Sequence, residues 1–171
     1  MATVVLLRGA NLGKRRFSPK AVEAALADLG CASVGAAGTF VVRKRVAAAA
    51  LRERVQAELP WPDAELVLLT EKEFRAALRA GEAVDVPAGA KRFATAMETK
   101  PVKPEVPLEF SEGRAWAVRV EAVEGRVALG VRRSVGATGV YPNEVVEKAY
   151  GVRATTRDWP TMEKVAARLD A

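Results

Sequence analysis

The chain has 171 residues, 27 of them Lys or Arg and 21 Asp or Glu, for a formal charge of +6. Half of the residues are apolar and 28% are charged, a globular balance that excludes wholesale disorder. Histidine is absent, which removes His triads, His metal ligands and imidazole acid–base chemistry together. Cys31 stands alone, so neither an internal disulfide nor a thiolate metal cluster can form, and no cofactor or metal is expected.

Thr3 to Leu7 is a β-branched and apolar run that predicts a first strand. Ser18-Pro19 offers an N-cap followed by proline at the first helical position. Val22, Ala25, Leu26 and Leu29 then recur at helical spacing, and Gly30 supplies the stop. Cys31 to Ala36 and Thr39 to Arg43 predict two strands around Ala37-Gly38. Val46 to Leu59 predicts a second helix that buries Leu51, Val55 and Leu59, and Pro60 and Pro62 end it before a strand over Glu65 to Leu69. The order β-α-β-β-α-β is the ferredoxin-like split unit.

Val4 to Leu7, Phe40 to Val42 and Leu66 to Leu69 are apolar at consecutive positions instead of alternating. Strands that repel water on both sides are normally covered on both faces, and two helices cover only one. The remaining residues are the expected cover, with a homodimer contact as the competing one.

Thr70-Glu71-Lys72-Glu73 is a capping box that opens a helix running to Gly81. Residues 82–90 form a connector, Lys91 to Met97 has strand character, and Pro101, Pro104 and Pro107 stiffen an extended loop. Trp116 to Val123 alternates, and Glu124-Gly125 turns it into Arg126 to Arg132 as a hairpin. Pro142 opens a helix through Tyr150, and a last helix runs from Thr161 to Leu169. The expected fold is α+β: a ferredoxin-like βαββαβ N-terminal subdomain (1–80) packed against a second small α+β subdomain (81–171), folding as one body.

The segment from Arg8 to Arg16 carries four cations, two glycines and no acid, directly after a strand. It is one residue too short for a Walker loop, and no Ser or Thr follows Lys14 to hold magnesium, which argues against nucleotide hydrolysis. An anion site fits better, with a solvated basic turn as the plain alternative. Basic residues recur at Arg43-Lys44-Arg45, Lys91-Arg92 and Arg132-Arg133, and arginine outnumbers lysine eighteen to nine. That favours bidentate contact with phosphate, so nucleic acid joins small anions as a candidate partner. The first strand lacks the aromatic residues that an RNA-stacking sheet requires, and Phe40 reads as core. Cys31 and Trp159 read as packing residues, and Glu71 and Glu73 as helix-capping acids.

Arg8-Gly9-Ala10-Asn11-Leu12-Gly13 after its strand resembles the "LLRGINVGG" opening of the bacterial family known as domain of unknown function 1697. Residues 143–164 resemble that family's ending, with Glu147-Lys148-Ala149, Gly151, Ala154-Thr155-Thr156-Arg157, Trp159, Thr161 and Lys164 in register. The resemblance implies a small α+β protein with ferredoxin-like subdomains and, as the family has no established activity, no catalytic residue. Two departures reduce the polar groups: Ala37-Gly38-Thr39 replaces the usual "SGN", and Gly139-Val140-Tyr141-Pro142-Asn143 replaces "SKLTN".

No basic segment precedes an apolar stretch at Met1-Ala2-Thr3-Val4, and no apolar run approaches the ~20 residues of a membrane span, so a cytoplasmic protein is expected. The leading functional expectation is non-catalytic binding of an anionic ligand or nucleic acid through Arg8, Asn11, Lys14, Arg15 and Arg16, with Arg133, Asn143 and Arg157 as neighbours. The competing expectations are an enzyme for a phosphorylated or carboxylated molecule using groups such as Tyr141 and Lys164, and a structural or dimerising protein.

Overall fold

A computed structural model describes residues 1–10, 16–61, 63–134 and 139–171. Among these the protein is mixed α+β, with two antiparallel sheets and five α-helices. The chain divides into two compact units, Met1–Phe74 with Glu163–Ala171, and Arg75–Met162.

In the first unit, β1 (Thr3–Arg8), β2 (Cys31–Val34), β3 (Thr39–Val42) and β4 (Glu65–Thr70) form a sheet in the order β2-β3-β1-β4. Every pairing is antiparallel, with Val5 opposite both Phe40 and Leu68. Helix α1 (Pro19–Ala25) starts where Ser18 Oγ accepts from the Ala21 amide at 3.2 Å, and Pro19 needs no donor there. It is shorter than its apolar spacing suggests: the chain tightens into a 3-10 turn over Ala27–Leu29 before Gly30 closes it in the left-handed region. Helix α2 (Ala48–Ala57) packs Leu51 and Val55 with Val22, Leu26, Val5, Leu7, Phe40 and Leu66 in one core. Phe17 meets Trp61 edge to face at its margin, 5.9 Å between ring centres.

Val4, Leu6, Val41, Val67 and Leu69 point from the opposite face of that sheet and are equally buried. Both faces are withdrawn from water, as the unbroken apolar runs require. Each such side chain contributes about 1.5–3 kcal/mol relative to exposure. Helix α3 (Glu71–Glu82) opens on the expected capping box: Glu73 accepts from the Thr70 amide at 2.8 Å while its own amide donates to Thr70 Oγ1 at 3.2 Å.

The second unit holds β5 (Lys91–Met97), β6 (Leu108–Glu112), β7 (Ala115–Glu124), β8 (Val127–Arg132) and β9 (Ala154–Asp158), in the order β6-β7-β8-β5-β9. Strands β6 and β9 were not evident in the sequence, and both lie at edges of this sheet. Helix α4 (Pro142–Tyr150) sets Val145 and Val146 into a core with Phe93, Met97, Val118, Val120 and Ala128. Helix α5 (Trp159–Asp170) begins two residues before the expected start, and Asp158 Oδ1 accepts from the Thr161 amide at 3.0 Å. Trp159 is buried against Gly81, where even a methyl group would meet the indole at 2.3 Å. A shift in the β7–β8 register between Val120 and Ala122 brings the Arg119 carbonyl over Gly130, leaving 1.9 Å for any β-carbon there. Only glycine fits that rung.

Candidate anion-binding site

Strand β5 begins at Lys91 and β8 ends at Arg132, and these two residues are direct partners across the ladder. Like charges placed opposite one another repel, by a few tenths to about 1 kcal/mol. Chain continuity then puts Arg133 and Ser134 beside them. Gly139, Val140 and Tyr141 return along the same cavity, which measures about 220 Å³ and has Gly89 on its wall. Of the described lining residues three are cationic and none is acidic. Among the described residues, the side chains of Lys91, Arg132 and Tyr141 have no hydrogen bond or ion pair.

Arg133 is held differently. Its amide donates to the Ala117 carbonyl at 2.9 Å, and its Nε to the Trp116 carbonyl at 2.6 Å. The guanidinium carbon lies 4.2 Å from the centre of the Trp116 ring, a cation–π contact. Arg119 packs on the same indole at 4.2 Å, but Glu109 accepts from its Nε at 2.7 Å and neutralises it. The two terminal amino groups of Arg133 have no protein acceptor among the described residues. A guanidinium fixed at one nitrogen and open at the others is prepared for an oxyanion.

The residues singled out from the sequence fall in several places. Arg133 lines the cavity. Asn143 stands half-buried in the first turn of α4, two residues beyond Tyr141. Arg157, on β9, is buried and donates to Thr155 Oγ1 at 2.8 Å and to the Thr156 carbonyl at 2.9 Å. Burial pulls its pKa down to about 10 against the opposing pull of Asp158, so it stays charged at neutral pH. Arg8, in the first unit, donates to Glu65 at 3.2 Å, and Arg16 is exposed. Asn11, Lys14 and Arg15 lie outside the described residues. Lys91 and Arg132 were not among the sequence candidates for binding, and Tyr141 was considered only as a catalytic group. The first two stood in visible basic doublets, but only the strand register brings them together.

Cys31 is buried, and desolvation, reinforced by Glu23, raises its thiol to about 11. The neutral thiol that results is no nucleophile at ordinary pH. Among the described residues no cluster of three or more Cys, Asp or Glu could hold a metal ion, and no helix is long and apolar enough to cross a membrane.

No family model and no curated protein matches the chain. Among solved structures, the conserved bacterial protein SP0830 from Streptococcus pneumoniae is similar over 99% of this chain and 98% of its own, with a TM-score of 0.56 and 17% identity. The likeness is one of fold, and it extends over both units.

Proposed function

We propose that this protein binds an anionic ligand through Lys91, Arg132 and Arg133 without transforming it. The observation that carries the reading is the gathering of three cations, each with open donors, around a cavity with no acidic residue among its described lining. Among the described residues of that lining the other hydroxyl groups belong to Ser134 and Tyr141, a poor set for general acid–base work in a chain without histidine.

We also read the first unit as ferredoxin-like, supported by its β-α-β-β-α-β element order and its antiparallel sheet order. Membership of domain of unknown function 1697 is our reading of the opening and closing motifs, and a reducing cytoplasm our reading of the unpaired Cys31.

The test is a nuclear magnetic resonance titration with inorganic phosphate at low salt. Saturable shifts should centre on Lys91, Arg132 and Arg133, and the affinity should fall as chloride is added. Arg132→Gln should weaken binding about tenfold or more, the worth of a charge-assisted hydrogen bond. Non-saturable shifts spread over all basic residues would defeat the reading, and so would an Arg132→Gln protein that binds phosphate as the parent does.

A further inference from the structure

Building on that anion-binding reading, we infer that the ligand carries two anionic groups on one compact frame, with a diphosphate as the simplest example. Charge sets the lower bound on the ligand. A single phosphoryl group brings about 1.5 to 2 negative charges at neutral pH, which leaves one of the three cations without compensation. A second anionic group completes the balance. Volume sets the upper bound. About 220 Å³ falls below the ~300 Å³ at which pockets for drug-sized molecules begin, so the part of a ligand held within the described lining is compact.

The cations also form two distinct grips. Lys91 and Arg132 face one another across β5 and β8, and an anion shared between them removes their repulsion. Arg133 is tied through Nε to the Trp116 carbonyl and rests on the indole, while its terminal amino groups stay open. Trp116 is therefore a positioning residue: it touches no ligand but fixes the direction of the second grip. Arg119, neutralised by Glu109, packs on the same ring and steadies it without adding free charge at that point.

Calorimetric titrations of the full chain at low salt with orthophosphate, diphosphate and a random single-stranded oligonucleotide test the inference. Diphosphate should bind about tenfold or more tightly than orthophosphate, one further charge-assisted contact being worth that much. Arg133→Lys and Trp116→Leu should each weaken diphosphate more than orthophosphate, with unchanged melting temperature serving as the folding check. Equal affinities for the two phosphates, with orthophosphate still dependent on Arg132, would overturn the two-group ligand and leave the anion site standing. Failure of both to bind would overturn the site as well. An oligonucleotide that outcompetes diphosphate would overturn the compact ligand in favour of nucleic acid.

Discussion

Arg8 and Arg132 occupy matching positions in the two sheets. Each is the last residue of a strand whose neighbours are buried, and each faces the first residue of the adjacent antiparallel strand. For Arg8 that residue is Glu65, and the pair closes at 3.2 Å. For Arg132 it is Lys91, and no acid stands among the described residues of the cavity lining. The same residue type at the same kind of strand end is thus self-neutralised in one unit and left charged in the other. A run of cations in a sequence is weak evidence for a site. What matters is whether the fold supplies the counter-charge, and here it does so at one strand end and withholds it at the other.

The strongest perturbation of that contrast is Gly130→Ala. A β-carbon 1.9 Å from the Arg119 carbonyl forces β7 and β8 apart beneath the Arg132 rung. The expected loss is about 3 kcal/mol or more by denaturant unfolding, at the upper end for overpacking. A melting curve like the parent's would show that the bulge is not rigid.

Lys91→Glu recreates opposite Arg132 the arrangement that Glu65 makes with Arg8. Phosphate affinity should drop about 100-fold, because one grip is lost and a repulsive charge enters, while stability should rise by a few tenths of a kcal/mol. Retained binding with no gain in stability would erase the distinction between the two strand ends.

A smaller effect is expected at Glu23, which sits in the neutralised unit. It accepts from Ser33 Oγ at 2.5 Å and from the Ser33 amide at 2.8 Å, and these bonds, the hydroxyl first, lower its pKa. A depressed carboxylate stabilises the fold above its unfolded pKa, and that contribution is lost as the pH falls through the folded value. Glu23→Gln should therefore flatten the acid limb of a stability-versus-pH curve and leave the alkaline limb alone. An unchanged acid limb would show that the Ser33 contacts carry no net energy.

The smallest change is Arg8→Gln. Its ion pair is partly exposed, so the stability loss should stay below about 1 kcal/mol. If phosphate affinity fell as far as in Arg132→Gln, the binding surface would have to include Arg8, and the contrast between the two arginines would fail.

Much of this architecture could be read from the chain because the helix starts carry their own chemistry. Ser18-Pro19 and Thr70 to Glu73 make in the structure the bonds that their sequence patterns imply. Strand β6 was missed because Leu108–Glu112 is short and largely exposed, and its alternation amounts to two apolar residues, Leu108 and Phe110. Strand β9 was missed because Ala154–Asp158 is polar and gains its order from pairing with β5. Both are edge strands, held by one neighbour, so their residues need not advertise two-sided burial. The site was half legible. The doublets Lys91-Arg92 and Arg132-Arg133 were plain, but both members of the second line the cavity and only Lys91 of the first does, a choice that the strand pairing makes. Arg92 turns instead toward the carbonyls of Glu82 and Val84 and lies over Trp159.

The repelling rung between Lys91 and Arg132 is the last of the β5–β8 ladder. Its backbone amides should therefore exchange with solvent deuterium faster than those of the Ala94–Leu129 rung, through local fraying, and slow when an anion is bound. Simple salt should act in the same direction on the empty protein, since a Debye length of about 10 Å at 0.1 M screens the repulsion while it also competes with the ligand. Ionic strength would then tighten this end of the sheet even as it loosens the molecule's hold on its partner.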